Sequence, residues 1–413
     1  MVDLLLILPF ALLLGAMAAL PVLAPHWWER HYPKVALGLG ALMAGYYLFV
    51  KHDSASVLHA GQEYAGFMAL VGSLFVVGGG IQIVVPGQST PLKNVLFLSA
   101  GAVLANVLGT TGAAMLLIRP WLKFNRPRLA PHHGVFFIFL VANVGGGLTP
   151  IGDPPLFLGY LQGVPFWWVL QRCGFIWLVM VAGVLSLFYL KDARHFRQTI
   201  PVATTPPPAA HWSLVGSHNL LFLGLILAAV FLPEGWREAV MLAAAVGSYF
   251  TTSKVVHQAN GFNFHPAMEV AVLFAGVFIT MIPALAWLGA NAHRVLGAHQ
   301  SPGGFYWASG LLSAVLDNAP TYLGFWQTLQ GLTGITEAND LLAQQGAQVA
   351  AISMGAVFFG AATYIGNGPN FLVKNIAERE GLRMPAFFEY IGKFALPGLL
   401  PVLLLVWWLF FRS

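Results

Sequence analysis

Apolar runs of roughly 20 residues, the length a helix needs to cross hydrocarbon, follow one another along the chain with short polar loops between them. Crossing segments fall at about 3–23, 34–50, 64–86, 133–160, 165–190, 214–232, 236–253, 267–288, 347–373 and 386–411. Two further apolar stretches, 92–118 and 303–326, carry Asn106 and the Asp317-Asn318 pair near their middles, and each reads as a full span or a re-entrant hairpin. The alternating ten-residue pattern of a membrane barrel is absent. This pattern predicts an all-α integral membrane protein.

Interruptions within the runs are repeated. T-P-I-G-D-P-P-L-F-L at Thr149 to Leu158 returns as T-Y-I-G-N-G-P-N-F-L at Thr363 to Leu372, with six of ten positions identical and a shift of 363 − 149 = 214. V-L-A-N at Val103 to Asn106 returns as V-L-D-N at Val315 to Asn318, shifted by 212. Paired breaks in corresponding halves of a membrane protein point to a transporter's binding site. The basic loops Arg119 to Arg128, Lys191 to Arg197 and Lys374 to Arg383 belong on the cytoplasmic side. Segment 327–346, with two acids and no Lys or Arg, belongs outside. That placement leaves Lys51 and Arg412 as outside exceptions, which the rule tolerates because it counts an excess. It also requires both ambiguous stretches to be hairpins, entering from opposite faces. The expectation is two inverted repeats, each with about five crossing helices, one re-entrant hairpin and one broken helix, at 1–198 and 213–413. The Pro-rich stretch 199–212 reads as a cytoplasmic linker between them.

Composition narrows the class. With 58% hydrophobic and 8% charged residues, no soluble fold could hide this much apolar surface from water. The net charge of +5 comes from loop residues that form no large cluster, so it reads as membrane anchoring and not as a nucleic-acid surface. The single Cys173 lies in an apolar run and excludes an intrachain disulfide. Residues 4–23 read as a first span, because Asp3 replaces the basic region of a signal peptide. No G-x-x-x-x-G-K-[ST] loop occurs, so neither ATP-driven pumping nor another enzyme activity is expected of this chain. Trp and Tyr near span ends form an aromatic belt.

A carboxylate at membrane depth costs roughly 2.5–3.5 kcal/mol on insertion scales, so it is rare without a role. Only Asp153, in I-G-D-P-P, and Asp317, in L-D-N-A-P, fall inside the interrupted segments. The repeat places them, one per copy, at pseudo-symmetric positions. Pro beside each break removes a backbone donor and frees upstream carbonyls. A hard cation such as sodium binds oxygens of this kind. The candidate ion-binding residues are Asn106, Thr110, Thr111, Asn143, Thr149 and Asp153 in the first half, and Asp317, Asn318, Thr321, Thr363, Asn367 and Asn370 in the second. Asp153 and Asp317 are the metal-ligating pair expected for Na+. For any single Asn or Thr the competing reading is helix–helix glue, and for a Gly-Pro break a simple kink. His132-His133 and Glu269 read as interfacial anchors more readily than as a proton relay or a site.

These motifs resemble the ion transporter superfamily that includes sodium/dicarboxylate symporters, citrate transporters, arsenite permeases and NhaD-type sodium/proton antiporters. The resemblance rests on A-N-V-L-G-T-T (Ala105 to Thr111), N-V-G-G-G-L-T-P-I-G-D-P (Asn143 to Pro154), D-N-A-P-T (Asp317 to Thr321) and T-Y-I-G-N-G-P-N (Thr363 to Asn370). It covers the chain from about residue 60 onward and is closest in motif to the NhaD-type proteins. It implies a mobile transport domain, an elevator, sliding against a fixed and often dimeric scaffold. Dicarboxylate symporters carry Ser-Asn-Thr at both hairpin tips, where this chain has A-N-V and D-N-A. Two aspartates would repel citrate, and no Lys or Arg lies among the site residues to offset them.

The expected function is therefore sodium/proton antiport by competition of Na+ and H+ for the two aspartates. The alternative is a sodium- or proton-coupled carboxylate or inorganic-anion transporter, and a channel or receptor on the same scaffold is a third class. No cofactor is expected beyond the transported Na+ and H+. The expected partners are the lipid bilayer of the cell inner (plasma) membrane and a second copy of the chain in a homodimer.

Overall fold

The computed structural model describes residues 4–85, 89–198, 213–297 and 300–412. The proposed linker 199–212 lies outside them. Among the described residues, seven helices are long and apolar enough to cross a membrane, or eight if one bent pair counts as a span. The first repeat opens with α1 (Leu8–Leu23), α2 (Pro25–Gly45) and α3 (Ser54–Gly79). Its interrupted elements are α4 (Pro91–Asn125), α5 (Pro131–Leu140) and α6 (Pro154–Leu161), and α7 (Trp168–Gln198) closes it.

α4, one of the seven by length and composition, folds back on itself as a hairpin. Asn94 Nδ2 donates to Asn125 Oδ1 at 2.8 Å, and the Phe97 and Trp121 rings lie 5.2 Å apart. Residues 94 and 125 would be about 46 Å apart in a straight helix. The chain reverses at Gly109, whose φ of 70° and ψ of 156° lie in a region that only glycine occupies without strain.

The second repeat runs α8 (Asn219–Ala229), α9 (Trp236–Thr251), α10 (Lys254–Ala259) and α11 (His265–Ala290), followed by the short α12 (Ala292–Leu296). Its hairpin is α13 (Pro302–Val315) with α14 (Asn318–Thr333), folded back so that Phe305 and Phe325 lie 6.3 Å apart. Its broken helix is α15 (Ala338–Phe359) with α16 (Gly368–Arg379), and the last crossing bends by 42° between Phe387–Gly398 and Leu400–Phe410. Pro397 and Pro401 flank that bend, where the missing N–H groups weaken the helix ladder.

Two expected crossings are shorter than anticipated. At about 1.5 Å per residue, α8 spans about 16 Å and α9 about 24 Å, against roughly 30 Å of hydrocarbon. Part of the apolar run at 214–232 is spent on a short antiparallel ribbon, Gln82–Val84 paired with Ser213–Val215. α8 and α9 pack on each other, as do α1 and α2.

The packing keeps the pseudo-twofold. α3 packs on α9 and α11 packs on α2; α4 packs on α16 and α14 packs on α6. The helices α1, α2, α3, α8, α9 and α11 form one layer. The hairpins and broken helices form a second layer, and their interior segments 132–147 and 349–361 are almost wholly buried.

Candidate ion site at the crossing of the broken helices

Between α5 and α6, and again between α15 and α16, the helix unwinds into a loop that doubles back on itself. The two loops cross-brace by the same rule. A Cβ on Gly152 would lie 2.1 Å from the Gly146 carbonyl oxygen, and one on Gly366 would lie 2.7 Å from that of Gly360. No side chain fits at either place, which accounts for these glycines in both copies. Each loop is stapled by its threonine. Thr149 Oγ1 donates to the Asn106 carbonyl at 2.6 Å, and Thr363 Oγ1 donates to the Ala314 carbonyl at 2.7 Å. Both hydroxyls also accept from their own loops, at Gly152 N and Gly366 N.

Asp153 stands at the end of the first break, immediately before α6, with no side-chain bond to that helix, and is 1% exposed. Three neutral donors hold it: Thr110 Oγ1 at 2.8 Å and Asn367 Nδ2 at 3.0 Å on Oδ1, and Asn318 Nδ2 at 2.7 Å on Oδ2. The donors come from the first hairpin tip, the second broken helix and the second hairpin tip, so all four interrupted elements meet at one carboxylate. The shift of 214 makes Asn367 the repeat mate of Asp153, and the shift of 212 makes Ala105 the mate of Asp317. The two aspartates are therefore not symmetry mates, contrary to the sequence expectation.

Asp317 occupies a different setting. It caps α14 by accepting from Ala319 N at 3.0 Å, is only half-buried, and faces a cavity of about 770 Å³. Asp317 lines this large cavity and Asp153 does not; Asn318, next in the chain to Asp317, is the residue that donates to Asp153. A separate void of about 20 Å³, room for about one water, lies against Asp153 beside Thr110 and Thr111.

The remaining candidates divide by where their polar atoms go. Asn106 clamps the hairpin tip to the first loop, donating to the Gly145 carbonyl at 2.7 Å and accepting from Leu148 N at 2.9 Å. Asn143 Nδ2 donates to Asn370 Oδ1 at 2.7 Å, while Asn370 donates to the carbonyls of Gly360 and Thr363. Thr111 lines the cavity. Thr321 donates to the Asp317 carbonyl within its own helix, which is the bland role for a helical threonine.

Two oxygens stand out. Asn143 Oδ1 and Asn318 Oδ1 are buried with no hydrogen-bond partner among the described residues. Both side chains face Gly360, where a Cβ would lie 3.0 Å from Asn143 Oδ1 and 3.6 Å from Asn318 Nδ2. Leaving a buried acceptor unmet costs about 1–3 kcal/mol.

Sequence reasoning missed two features. Arg119, Lys374 and Arg379, together with Glu29 and Glu269, line the same cavity as Asp317. Basic groups are thus present near the site, although neither aspartate forms an ion pair among the described residues. Glu269, read as an interfacial anchor, is on that wall. The second feature is a charged node at the base of the first hairpin. Asp192 is fully buried and takes both Arg128 Nη atoms, at 2.5 and 2.9 Å, and Asn94 Nδ2 at 2.9 Å. His132 and His133 each bring Nε2 to 3.0 Å from its Oδ1. The histidines are buried partners of a carboxylate about 60 residues away, not interfacial anchors, and nothing in their spacing signals it.

Four interrupted elements meeting at a buried carboxylate, with a wide cavity reaching their second aspartate from one side, define a multi-pass membrane protein of the secondary-transporter class. Comparison with known sequences supplies the family: a family model described as "Putative citrate transport" matches residues 1–411. The chain belongs to that family of transporters. It is also 31% identical over 186 residues to a UPF0182 protein of Synechococcus sp. (strain JA-3-3Ab), a match covering 43% of this chain and 20% of that protein. The match thus spans about a fifth of that relative's length.

Proposed function

We propose that this protein is a sodium/proton antiporter of the cell inner membrane, acting as a homodimer. The observation that carries the reading is the pair of unmet oxygens, Asn143 Oδ1 and Asn318 Oδ1, beside a buried carboxylate that no basic side chain neutralises. Amide oxygens without partners and a carboxylate without a countercharge are the ligand types a small hard cation takes. Asp317, on the cavity wall, meets the arriving ion first. Asn318 links that wall to Asp153 behind it.

Protons and sodium ions compete for the same carboxylate oxygens, so binding of one releases the other, and movement of the two hairpins and broken helices past the outer helix layer exposes the site to the second face. The re-entrant reading of both hairpins fits this, because each brings a tip from its own membrane face to the midplane. The test is dequenching of a pH-sensitive dye in proteoliposomes on adding sodium, lithium, potassium or citrate in turn. Sodium should elicit proton flux. Asp317→Asn and Asp153→Asn should each abolish it, and wild-type exchange by either variant refutes the role of that residue.

A second reading, coupled carboxylate transport, is favoured by a different observation. A cavity of about 770 Å³ with Arg119, Lys374 and Arg379 on its wall lies within the range of small-molecule sites, and the family description names citrate. Under that reading the aspartates hold only the coupling cation. Uptake of radiolabelled citrate driven by a sodium gradient, lost in Arg119→Ala, would select it over antiport.

A further inference from the structure

The contact between the two layers is closed on one face and open on the other. On the closed face, the end of α6 and the loop after it meet α3 and the chain between α8 and α9. Gln162 Nε2 donates to Glu63 Oε1 at 2.6 Å and the Tyr160 hydroxyl donates to the Val230 carbonyl at 2.8 Å. The Phe166 and Phe231 rings lie 4.8 Å apart, and the Arg237 guanidinium sits 6.0 Å from the Phe157 ring. On the open face the equivalent elements, α16 against α1, α2 and α11, are held apart by the large cavity.

The internal repeat relates the two faces residue by residue. The shift of 214 carries Phe157, Tyr160 and Gln162 onto Phe371, Lys374 and Ile376. α3 and α11 are both 26 residues long and begin at Ser54 and His265, a shift of 211 that carries Glu63 onto Phe274. All four mates line the cavity. A set of residues that closes one face thus has its counterparts standing open on the other.

Resting on the alternating-access reading above, we infer that Glu63, Gln162 and Tyr160 form a latch holding the present conformation, and that the opposite conformation closes by their repeat mates, with Phe274 packed against Ile376. An element built twice offers the same docking geometry to both layers, so the two closed faces are alternatives of one interface. They differ in chemistry. The present closure uses hydrogen bonds from an amide and a phenol, whereas the other uses an aromatic and a β-branched side chain in van der Waals contact. Lys374, mate of Tyr160, stands in that second closure opposite the end of α1, where Ala18 lines the cavity.

Cysteine cross-linking in membranes tests this, and the buried Cys173 can stay in place. Glu63→Cys/Gln162→Cys should cross-link readily. Phe274→Cys/Ile376→Cys should cross-link in freely cycling protein, and severalfold faster when Gln162→Ala is added, because the latch is then released. If the wild type exchanges ions while the second pair never cross-links, the assignment of the opposite closure is wrong. A Gln162→Ala variant that leaves the second pair's rate unchanged overturns the latch. Failure of wild-type exchange overturns the transport reading instead, and the cross-linking rates still report on the two closures.

Discussion

Asp153 and Asp192 are both buried aspartates, at 1% and 0% exposure, yet their surroundings differ in kind. Asp192 has a guanidinium in bidentate contact, an amide and two imidazoles. Its charge is cancelled locally, as a structural ion pair requires. Asp153 has three neutral donors and no countercharge. Hydrogen bonds keep its orientation fixed without supplying a countercharge, which is the setting the antiport proposal requires. The contrast teaches that burial of an acid in a membrane protein does not by itself mark an ion site; the identity of the partner decides.

The largest expected effect falls on the structural node. Arg128→Met removes the guanidinium from the buried Asp192 and leaves Asn94 and the two imidazoles as its contacts, a loss of up to about 3–5 kcal/mol. It should appear as a large drop in thermal unfolding temperature in detergent, and a wild-type melt would show that Asp192 needs no countercharge. Asp153→Asn should do the reverse: exchange is lost while the melt changes by less than about 1 kcal/mol, because the amides of Asn318 and Asn367 can turn to present oxygen. A variant that both fails to exchange and melts early would place Asp153 with the structural acids.

Proton competition sets the next effect. Where the proton form dominates, each unit fall in pH should raise the sodium concentration giving half-maximal exchange by up to about tenfold, by mass action. A half-maximal sodium concentration flat across pH 6 to 9 would remove protons from the Asp153–Asp317 site and sharpen the case for the carboxylate reading. The smallest effect belongs to His133→Gln, which removes one of five contacts to Asp192 and should cost about 1 kcal/mol with exchange intact. Lost exchange in that stable variant would erase the distinction between the two acids.

Much of the architecture was legible in the chain. The breaks at 143–154 and 363–370 and the tips at Asn106 and Asp317-Asn318 stand out because Gly, Pro and polar residues interrupt apolar runs, and an interruption is a local property. The length of α8 is misjudged from hydropathy, because the run at 214–232 reads as one span although Gly216-Ser217-His218 interrupts it with a turn that separates the strand from the helix. The pairing of Asp153 with Asp317 as symmetry mates also failed, because the shifts of 214 and 212 align Asp153 with Asn367 and Asp317 with Ala105; one acid per copy is not one acid per equivalent position.

By itself, then, the sequence determined a helical membrane protein built twice, and the short stretches where each copy is broken, because hydropathy and backbone chemistry act over a few neighbours. The tertiary structure alone decided which polar atoms face one another: Asp153 against donors 43, 165 and 214 residues away, Asp192 against Arg128, and Arg119 and Lys374 on the wall of the cavity that Asp317 faces. Those meetings depend on how hairpins and broken helices pack across the pseudo-twofold, and no spacing along the chain encodes that.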